Sequence, residues 1–171
     1  MNKVSDFFTF PELINEVSAR LVATGVLILS ILSLIFIISD NNISYVILSM
    51  LIYGFLARVS SGPKISPLAL LVTKIIVPKL NFREKIVPGP PKRFAQGVGL
   101  VFSLLITSFH VVGLNNISIV LLTILISFAS LEAFIGFCAG CKAFKILMKI
   151  GIIPEDICER CANYNLSLIH I

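Results

Sequence analysis

Four long apolar stretches, with the basic residues gathered on one side of them, constrain the fold of this chain most strongly. The stretches cover about residues 21–39, 43–59, 95–114 and 117–137. As helices, they are long enough to cross a hydrocarbon core about 30 Å thick. Hydrophobic residues make up 57% of the chain and charged residues 13%, a composition that is difficult to keep in water. We therefore predict an all-α integral membrane protein with four transmembrane helices.

The positions of the fourteen lysines and arginines predict the orientation of these helices. The turns after the first and third stretches, Asp40–Asn42 and Leu114–Asn116, contain none of them. They lie before the first stretch, from the end of the second to the start of the third, and in the tail: Lys3, Arg20, Arg58, Lys64, Lys74, Lys79, Arg83, Lys85, Lys92, Arg93, Lys142, Lys145, Lys149 and Arg160. Lys and Arg accumulate on the cytoplasmic side of a membrane. We expect two in-out-in hairpins in a bacterial inner membrane, with both termini cytoplasmic.

The positions of the basic residues also indicate which kind of molecule the protein contacts. They sit beside the membrane without interleaved aromatic residues, which indicates contact with the lipid bilayer and its anionic headgroups. We therefore expect no nucleic-acid binding, although the net charge is +5.

The central loop is predicted to be organised. Residues 68–80 are largely apolar but too short to span the bilayer, so we expect an interfacial helix that breaks near Pro78. Three prolines within Pro88–Pro91 are expected to extend the backbone and to bring Lys92 and Arg93 to the membrane surface where the third span begins. This corner is either a stiff entry to the helix or an anion or partner site.

Two ionisable residues near the membrane interior are expected to pair. The sequence Asn-Asn-Ile-Ser occurs at Asn41–Ser44 and again at Asn115–Ser118, through duplication of a hairpin or by chance. Arg58 and Glu132 each lie sixteen residues after the second Asn, and an unpaired charge in the bilayer costs about 2.5–3.5 kcal/mol. We predict that they face each other near the cytoplasmic end, the alternative being that Arg58 extends to the interface. His110 is expected to be a hydrogen-bonded interfacial residue and not a ligand or proton relay.

The four cysteines form two Cys-x-x-Cys pairs in the C-terminal segment. Cys138 and Cys141 lie where the fourth span ends, and sixteen residues separate them from Cys158 and Cys161. We predict a short cytoplasmic helical hairpin over residues 138–163 that brings the pairs together. The spacing suits a four-cysteine zinc site, with zinc as the candidate cofactor, or a relay in which one dithiol reduces the other. A static disulfide is disfavoured in the cytoplasm.

Two motifs resemble a known family. PGPPKRFAQ at Pro88–Gln96 and LEAFIGFCAGC at Leu131–Cys141 are similar to the domain of unknown function 4395 family of bacterial membrane proteins. The resemblance implies four spans and an FCxGC motif, carried here by Phe137, Cys138, Gly140 and Cys141. Family members are often encoded near thioredoxin-like and sulfurtransferase-like proteins, so the resemblance favours thiol or sulfur chemistry with such a soluble partner.

The leading functional hypothesis is thiol–disulfide or persulfide chemistry at the cytoplasmic face. Cys138 and Cys141 form the active pair, Cys158 and Cys161 the second pair, and Glu132 is the proton acceptor in the span. The alternative is a non-enzymatic membrane protein in which the same four cysteines hold a structural zinc ion. The residues do not decide whether the protein is an enzyme.

A third hypothesis is a small transporter of sulfur anions. Arg58, Lys92 and Arg93 would bind the anion at the cytoplasmic mouth. Four spans are few for a transporter, so this hypothesis implies a homodimer.

Residues 1–165 are predicted to form a single membrane domain. The last six residues, Leu166–Ile171, are identified as translated sequencing-adapter DNA and are not expected to be native. His170 is therefore left out of every hypothesis about the site.

Overall fold

The computed structural model describes residues 13–62, 65–77 and 86–153. Across these residues the chain is helical apart from two short strands. The elements in chain order are β1 (Leu13–Asn15), α1 (Glu16–Ile38), α2 (Ile43–Ser61), α3 (Pro67–Leu71), β2 (Ile86–Pro88), α4 (Gly89–Val111), α5 (Asn115–Ser130) and α6 (Ala139–Lys149). Helices α3 and α5 each continue into a π-helical turn, Val72–Ile76 and Leu131–Ile135 respectively.

Four helices are long and apolar enough to cross a membrane. They are Glu16–Ile38, Ile43–Ser61, Gly89–Val111 and Asn115–Ile135. This confirms the predicted all-helical class with four segments able to span a membrane, and such segments are typical of a multi-pass membrane protein.

The four spans pack as a ring. Helix α1 contacts α2 and α5, and α4 contacts the same two helices from the other side. The centre is filled by apolar side chains, of which Leu48, Ile106 and Leu122 are fully buried. Ser33 and Ser103 are buried as well, and each hydroxyl donates to a carbonyl four residues earlier in its own helix. A small hydroxyl satisfied in this way lets neighbouring helices approach closely.

The two ends of this bundle differ. We call the end with the Asp40–Asn42 and Gly113–Leu114 turns the turn end. The opposite end, where Arg20, Arg58 and Lys92 lie, is the basic end. At the basic end β1 pairs antiparallel with β2, with Ile14 opposite Val87. The strands therefore join the entry of α1 to the entry of α4, a contact that the sequence did not predict.

The third span begins earlier than predicted. Helix α4 starts at Gly89, with Pro90 and Pro91 in its first turn, whereas the sequence analysis began it at Ala95. Proline is tolerated there, because the first turn needs no N–H donor and the fixed φ of proline is already close to helical. Lys92 consequently lies inside the helix and is 7% exposed, instead of reaching the surface from an extended segment.

The short central-loop helix is packed against the bundle. Residues Pro67–Ile76 form an apolar helix, as predicted, and residues 78–80 of the predicted segment lie outside the described residues. Ala69 and Val72 are buried against Val22 of α1. The helix is therefore attached to the first span.

The fourth span ends at a break. The π-helical turn stops at Ile135, and Gly136 adopts the left-handed conformation with φ of 73°. A residue with a Cβ is strained in that conformation, whereas Gly is not. The sequence analysis continued the span to Phe137, so the break before Cys138 is a correction. Arg20 stabilises it, because its guanidinium donates to the carbonyl oxygens of Ala133 and Phe134 at the end of the π turn.

Helix α6 folds back onto the bundle. Gly140 lies so close to α4 that an added Cβ would stand 2.5 Å from the Cβ of Ala95, and the rings of Phe94 and Phe144 are 5.7 Å apart. This helix is the first limb of the predicted C-terminal hairpin. The second limb, with Cys158 and Cys161, lies outside the described residues, as does the predicted adapter-derived end.

His110 links the two hairpins at the turn end. Its Nε2 lies 2.9 Å from Ser44 Oγ, and its Nδ1 lies 2.7 Å from Asn115 Oδ1. The imidazole also stacks on Tyr45, with ring centroids 4.6 Å apart. The residue is hydrogen-bonded, as predicted, and it is buried among the helices at the turn end, at 5% exposure.

Candidate functional site

The first Cys-x-x-Cys pair lies at the start of helix α6. Cys138 is the N-cap residue, and its sulfur accepts a hydrogen bond from the backbone N–H of Cys141 at 3.4 Å. The unpaired N–H groups at a helix N-terminus carry partial positive charge, and a sulfur held there is stabilised as the thiolate. The break at Gly136 creates this arrangement, since a continuous helix would place Cys138 in mid-helix.

The two thiols have different environments. Both are free, with Cys138 buried and Cys141 partly exposed. A hydrogen bond from the Cys141 side chain lowers the pKa of Cys138 below its ordinary value, with a further contribution from the ammonium group of Lys92. The same hydrogen bond, together with burial, raises the pKa of Cys141. Cys138 is therefore the more acidic thiol of the pair, and Cys141 the less acidic one.

An ion pair joins α4 to the end of α5 beside these thiols. Lys92 Nζ lies 2.5 Å from Glu132 Oε1, and both side chains are largely buried. The sequence analysis predicted Arg58 as the partner of Glu132. Lys92 takes that place, because α4 begins at Gly89 and carries Lys92 into the bundle.

Arg58 is turned into the bundle and not toward its surface. It is 5% exposed, its Nε donates to Gln96 Oε1 at 2.7 Å, and its guanidinium lies 4.6 Å from the centroid of the Phe55 ring. Glu132 still attracts its charge. Within the described part of the chain, the Nη2 atom of Arg58 is buried and has no hydrogen-bond partner. The alternative in which Arg58 extends to the interface is therefore wrong.

Arg93 lies apart from these groups. Its Nε donates to the carbonyl oxygen of Val59 at an exposed position. The structure thus brings Arg58 and Lys92 toward Glu132, whereas Arg93 joins the outer surface of α4 to the end of α2. The three residues proposed from sequence as an anion site do not converge on one point.

A cavity of about 210 Å³ lies between the helices at this end of the bundle. Its walls come from all four spans and from the start of α6, and they are mostly apolar. The polar and thiol-bearing residues that line it are Gln96, Glu132 and Cys138. The buried thiol therefore opens onto an apolar space inside the bundle.

Gln96 is a site residue that the sequence reasoning did not identify. It belongs to the PGPPKRFAQ motif, and it lies four residues after Lys92, on the same face of α4. Helical periodicity from the correct start of α4 would have placed both residues toward the interior.

The predicted zinc site stays a prediction. It needs Cys158 and Cys161, which lie outside the described residues. Among residues 13–62, 65–77 and 86–153, no group of three or more His, Cys, Asp or Glu side chains is placed to hold a metal ion.

The fold and the site together define a class: a four-span membrane protein with a Cys-x-x-Cys pair at the end of its helical bundle. The chain belongs to the family described as a domain of unknown function, DUF4395, whose model matches residues 14–149. This confirms the resemblance found in the sequence. The matched residues include both motifs and the first cysteine pair, and they end before the second pair. No curated protein and no solved structure matches the chain.

Proposed function

We propose that the protein carries out thiol–disulfide or persulfide chemistry through Cys138 and Cys141. The observation that carries the proposal is the position of Cys138 at the N-terminus of α6, where the N–H of Cys141 points at its sulfur. Low-pKa cysteines of Cys-x-x-Cys motifs occupy such positions. The distribution of basic residues supports a location at the cytoplasmic face of a bacterial inner membrane.

The exchange step follows from the different exposure of the two thiols. In the oxidised pair, a thiolate of a soluble thioredoxin-like partner attacks the more accessible sulfur, that of Cys141. The bond between the two sulfurs breaks, and its electron pair leaves on Cys138. A thiolate of low pKa is the better leaving group, and the environment of Cys138 lowers its pKa.

The second step releases the partner. Its remaining thiol loses a proton and attacks the partner sulfur of the mixed disulfide, which expels Cys141. Cys141 takes up that proton, in keeping with its raised pKa. The partner leaves as a disulfide, and the pair is left as the Cys138 thiolate and the Cys141 thiol, so that electrons and protons balance.

Persulfide transfer would use the same accessible sulfur. The Cys141 thiolate attacks the outer sulfur of a persulfide on a sulfurtransferase-like partner, and the partner's own thiolate leaves. Glu132 lines the cavity beside the pair and is the proposed proton acceptor for Cys141. A small sulfur-anion transporter is the weaker proposal, because Lys92 is already paired with Glu132.

Trapping the mixed disulfide tests the exchange. In a Cys158→Ser/Cys161→Ser background, Cys138→Ser leaves the accessible Cys141 without its resolving partner and is expected to accumulate a covalent adduct with a thioredoxin-like protein. The matched control, Cys141→Ser, leaves only the buried thiol and should trap much less. Equal trapping by both variants would contradict the proposed order of attack.

A metal and thiol count on the unaltered protein separates the exchange from the zinc alternative. Under reducing conditions the proposal requires titratable thiols at Cys138 and Cys141. One zinc ion per chain with all four thiols protected would favour the structural metal site instead.

A further inference from the structure

We propose that the cavity between the spans binds the ring of a lipid-soluble quinone, which accepts the two electrons of the Cys138–Cys141 dithiol. This inference rests on the proposed function. It adds the oxidant that restores the disulfide after each exchange with the soluble partner.

The position of the cavity suits a ligand that comes from the membrane. The lining extends from Cys138 and Gly140 at the basic end to Phe102 and Leu125 on the spans. Phe102 lies about 10 Å along α4 from Ala95, where the apolar stretch begins, at 1.5 Å per residue. A hydrocarbon core is about 30 Å thick, so this part of the lining lies along the apolar stretch, at a level where a quinone with an isoprenoid or alkyl tail dissolves.

The size and lining suit a flat, mostly apolar ring. A volume of about 210 Å³ equals the share of roughly seven water molecules in the liquid, which accommodates one substituted six-membered ring. The aromatic side chains of Phe55, Phe102 and Phe128 contribute to the walls. They can stack on such a ring in offset or edge-to-face geometry.

Two polar side chains of the lining suit a quinone in different ways, Gln96 as a hydrogen-bond donor to a carbonyl oxygen and Glu132 as a carboxylate that relays a proton to the reduced oxygen. Gln96 Oε1 accepts from Arg58 Nε, and this bond fixes the amide so that its nitrogen is the atom that can donate to a ligand. Glu132 supplies a carboxyl group to the same cavity. A lipid acyl chain has no atom that could form a hydrogen bond with either group. The aqueous anion of the transport hypothesis would be poorly solvated by the mostly apolar walls.

The two cysteines differ in exposure, so the quinone and the soluble partner can each approach a different one. Cys138 is 9% exposed and lines the cavity, so a ligand in the cavity meets its sulfur from within the bundle. Among the described residues, Cys141 is not part of the lining and is the more exposed thiol. The soluble partner and the quinone therefore reach different sulfurs of one dithiol.

The electron transfer balances with these groups. The Cys138 thiolate adds to a ring carbon of the quinone and forms a C–S bond. Cys141 then loses its proton and attacks Cys138 Sγ, the disulfide forms, and the electrons of the C–S bond return to the ring. The ring takes one proton from Cys141 and a second from water by way of Glu132, and it leaves as the quinol.

The experiment uses the protein in lipid nanodiscs with Cys158→Ser and Cys161→Ser, reduced and kept free of oxygen. A benzoquinone with a decyl tail is added, and its absorbance and the remaining thiols are followed. We expect one quinone to be reduced for every two thiols lost. Ala129→Leu adds three carbon atoms to the cavity wall and should slow the reaction about tenfold, which corresponds to roughly 1.4 kcal/mol in the barrier.

A second leucine substitution on the same helix, outside the cavity, serves as the control. Val120 is 58% exposed on α5 and is outside the lining given for the described residues, so Val120→Leu should react at the unaltered rate. Ala23→Leu places the same bulk on the α1 wall, and it serves as the filling variant if Ala129→Leu fails to fold. Thermal denaturation in nanodiscs establishes folding for each protein.

The outcomes separate this inference from the function on which it rests. If the pair forms the mixed disulfide but reduces no quinone, or if both filling variants react as fast as Val120→Leu, the quinone proposal is overturned and the exchange stands. A co-purified lipid displaced by Ala129→Leu, with quinone reduction unaffected, overturns it as well. If the pair neither exchanges nor reduces quinone, the proposed function itself is lost.

Discussion

The turn end and the basic end both bury polar side chains, but only the turn end pairs them completely among themselves. At the turn end each ring nitrogen of His110 has a partner, Ser44 on one side and Asn115 on the other. At the basic end Arg58 keeps a buried nitrogen without a partner among the described residues. A buried network that satisfies itself stabilises and specifies a fold.

The remaining features of the basic end are the ones on which the proposed function rests. A thiol of lowered pKa lies beside an ion pair, and it borders a cavity. A buried polar group without a partner is costly to a fold, and perturbed groups of this kind are usual where a ligand or a reaction needs them. The comparison teaches that the polar groups at the turn end satisfy one another, whereas those at the basic end are arranged as the proposed thiol chemistry requires.

The largest expected effect is a difference in thiol-exchange rate between substitutions at the two ends. Cys138→Ala removes the resolving thiolate and should lower the rate of thiol exchange by at least ~1,000-fold, as the loss of a reacting group commonly does. His110→Ala should leave that rate within about twofold, because His110 lies at the opposite end of the spans. The rates are measured for each variant in lipid nanodiscs, with a soluble dithiol protein as the reaction partner. A comparable loss of rate in His110→Ala would break the division between the ends.

The next effect concerns the ion pair at the basic end. Lys92→Met or Glu132→Gln alone leaves a buried charge without its partner and should destabilise the protein by about 3–5 kcal/mol. The double variant should recover part of that loss, which a double-mutant cycle in denaturant measures. Lys142→Met is the control, since Lys142 is an exposed cation over the ring of Phe137. Simple additivity of the two single changes would show that the pair is not coupled.

A smaller effect is expected at the turn end. His110→Ala leaves the buried Ser44 Oγ without this partner, and an unsatisfied buried group costs about 1–3 kcal/mol. The part-buried Asn115 Oδ1 loses the same partner. Thermal denaturation should show a lowered midpoint, whereas Val111→Ala, on an exposed neighbour, should not. An unchanged midpoint in His110→Ala would mean that the network does not hold the hairpins together.

The smallest effect is a shift in thiol ionisation. The pKa of Cys138 is lowered chiefly by the hydrogen bond from the Cys141 side chain. Cys141→Ala removes that donor, so the pH midpoint for alkylation of Cys138 by iodoacetamide should move upward. The measurement is the alkylation rate against pH in a Cys158→Ser/Cys161→Ser background. A midpoint that stays fixed would assign the lowered pKa to the helix N-terminus or to Lys92 alone.

The four spans could be predicted from the sequence because length and apolarity suffice to define a membrane-crossing helix. The bounds of the helices were predicted less accurately. The prolines predict an extended segment that ends with Lys92 at the surface, and the equal spacing of Arg58 and Glu132 after the two Asn-Asn turns predicts that these two residues pair. Because α4 begins at Gly89, Lys92 lies in the bundle and pairs with Glu132 instead. A single turn of helix thus decided which charges meet.

The thiol pair was identified from its spacing, but its geometry was not. Cys138 was expected on a continuous helix, and the signal against this was Gly136, which directly follows the span and is the residue type that ends helices. The cavity could not be predicted, because it depends on how five helices pack and not on any local pattern. The second pair, Cys158 and Cys161, lies outside the described residues.

The left-handed turn at Gly136 separates Cys138 and Cys141 from the helix that precedes them in the chain. What holds α6 in place is α4, through the contact of Gly140 with Ala95 and of Phe144 with Phe94. A fragment that carried only the fourth span and the tail would keep both sulfur atoms and lose their surroundings. The dithiol is thus a property of the assembled bundle and cannot be transplanted with its motif.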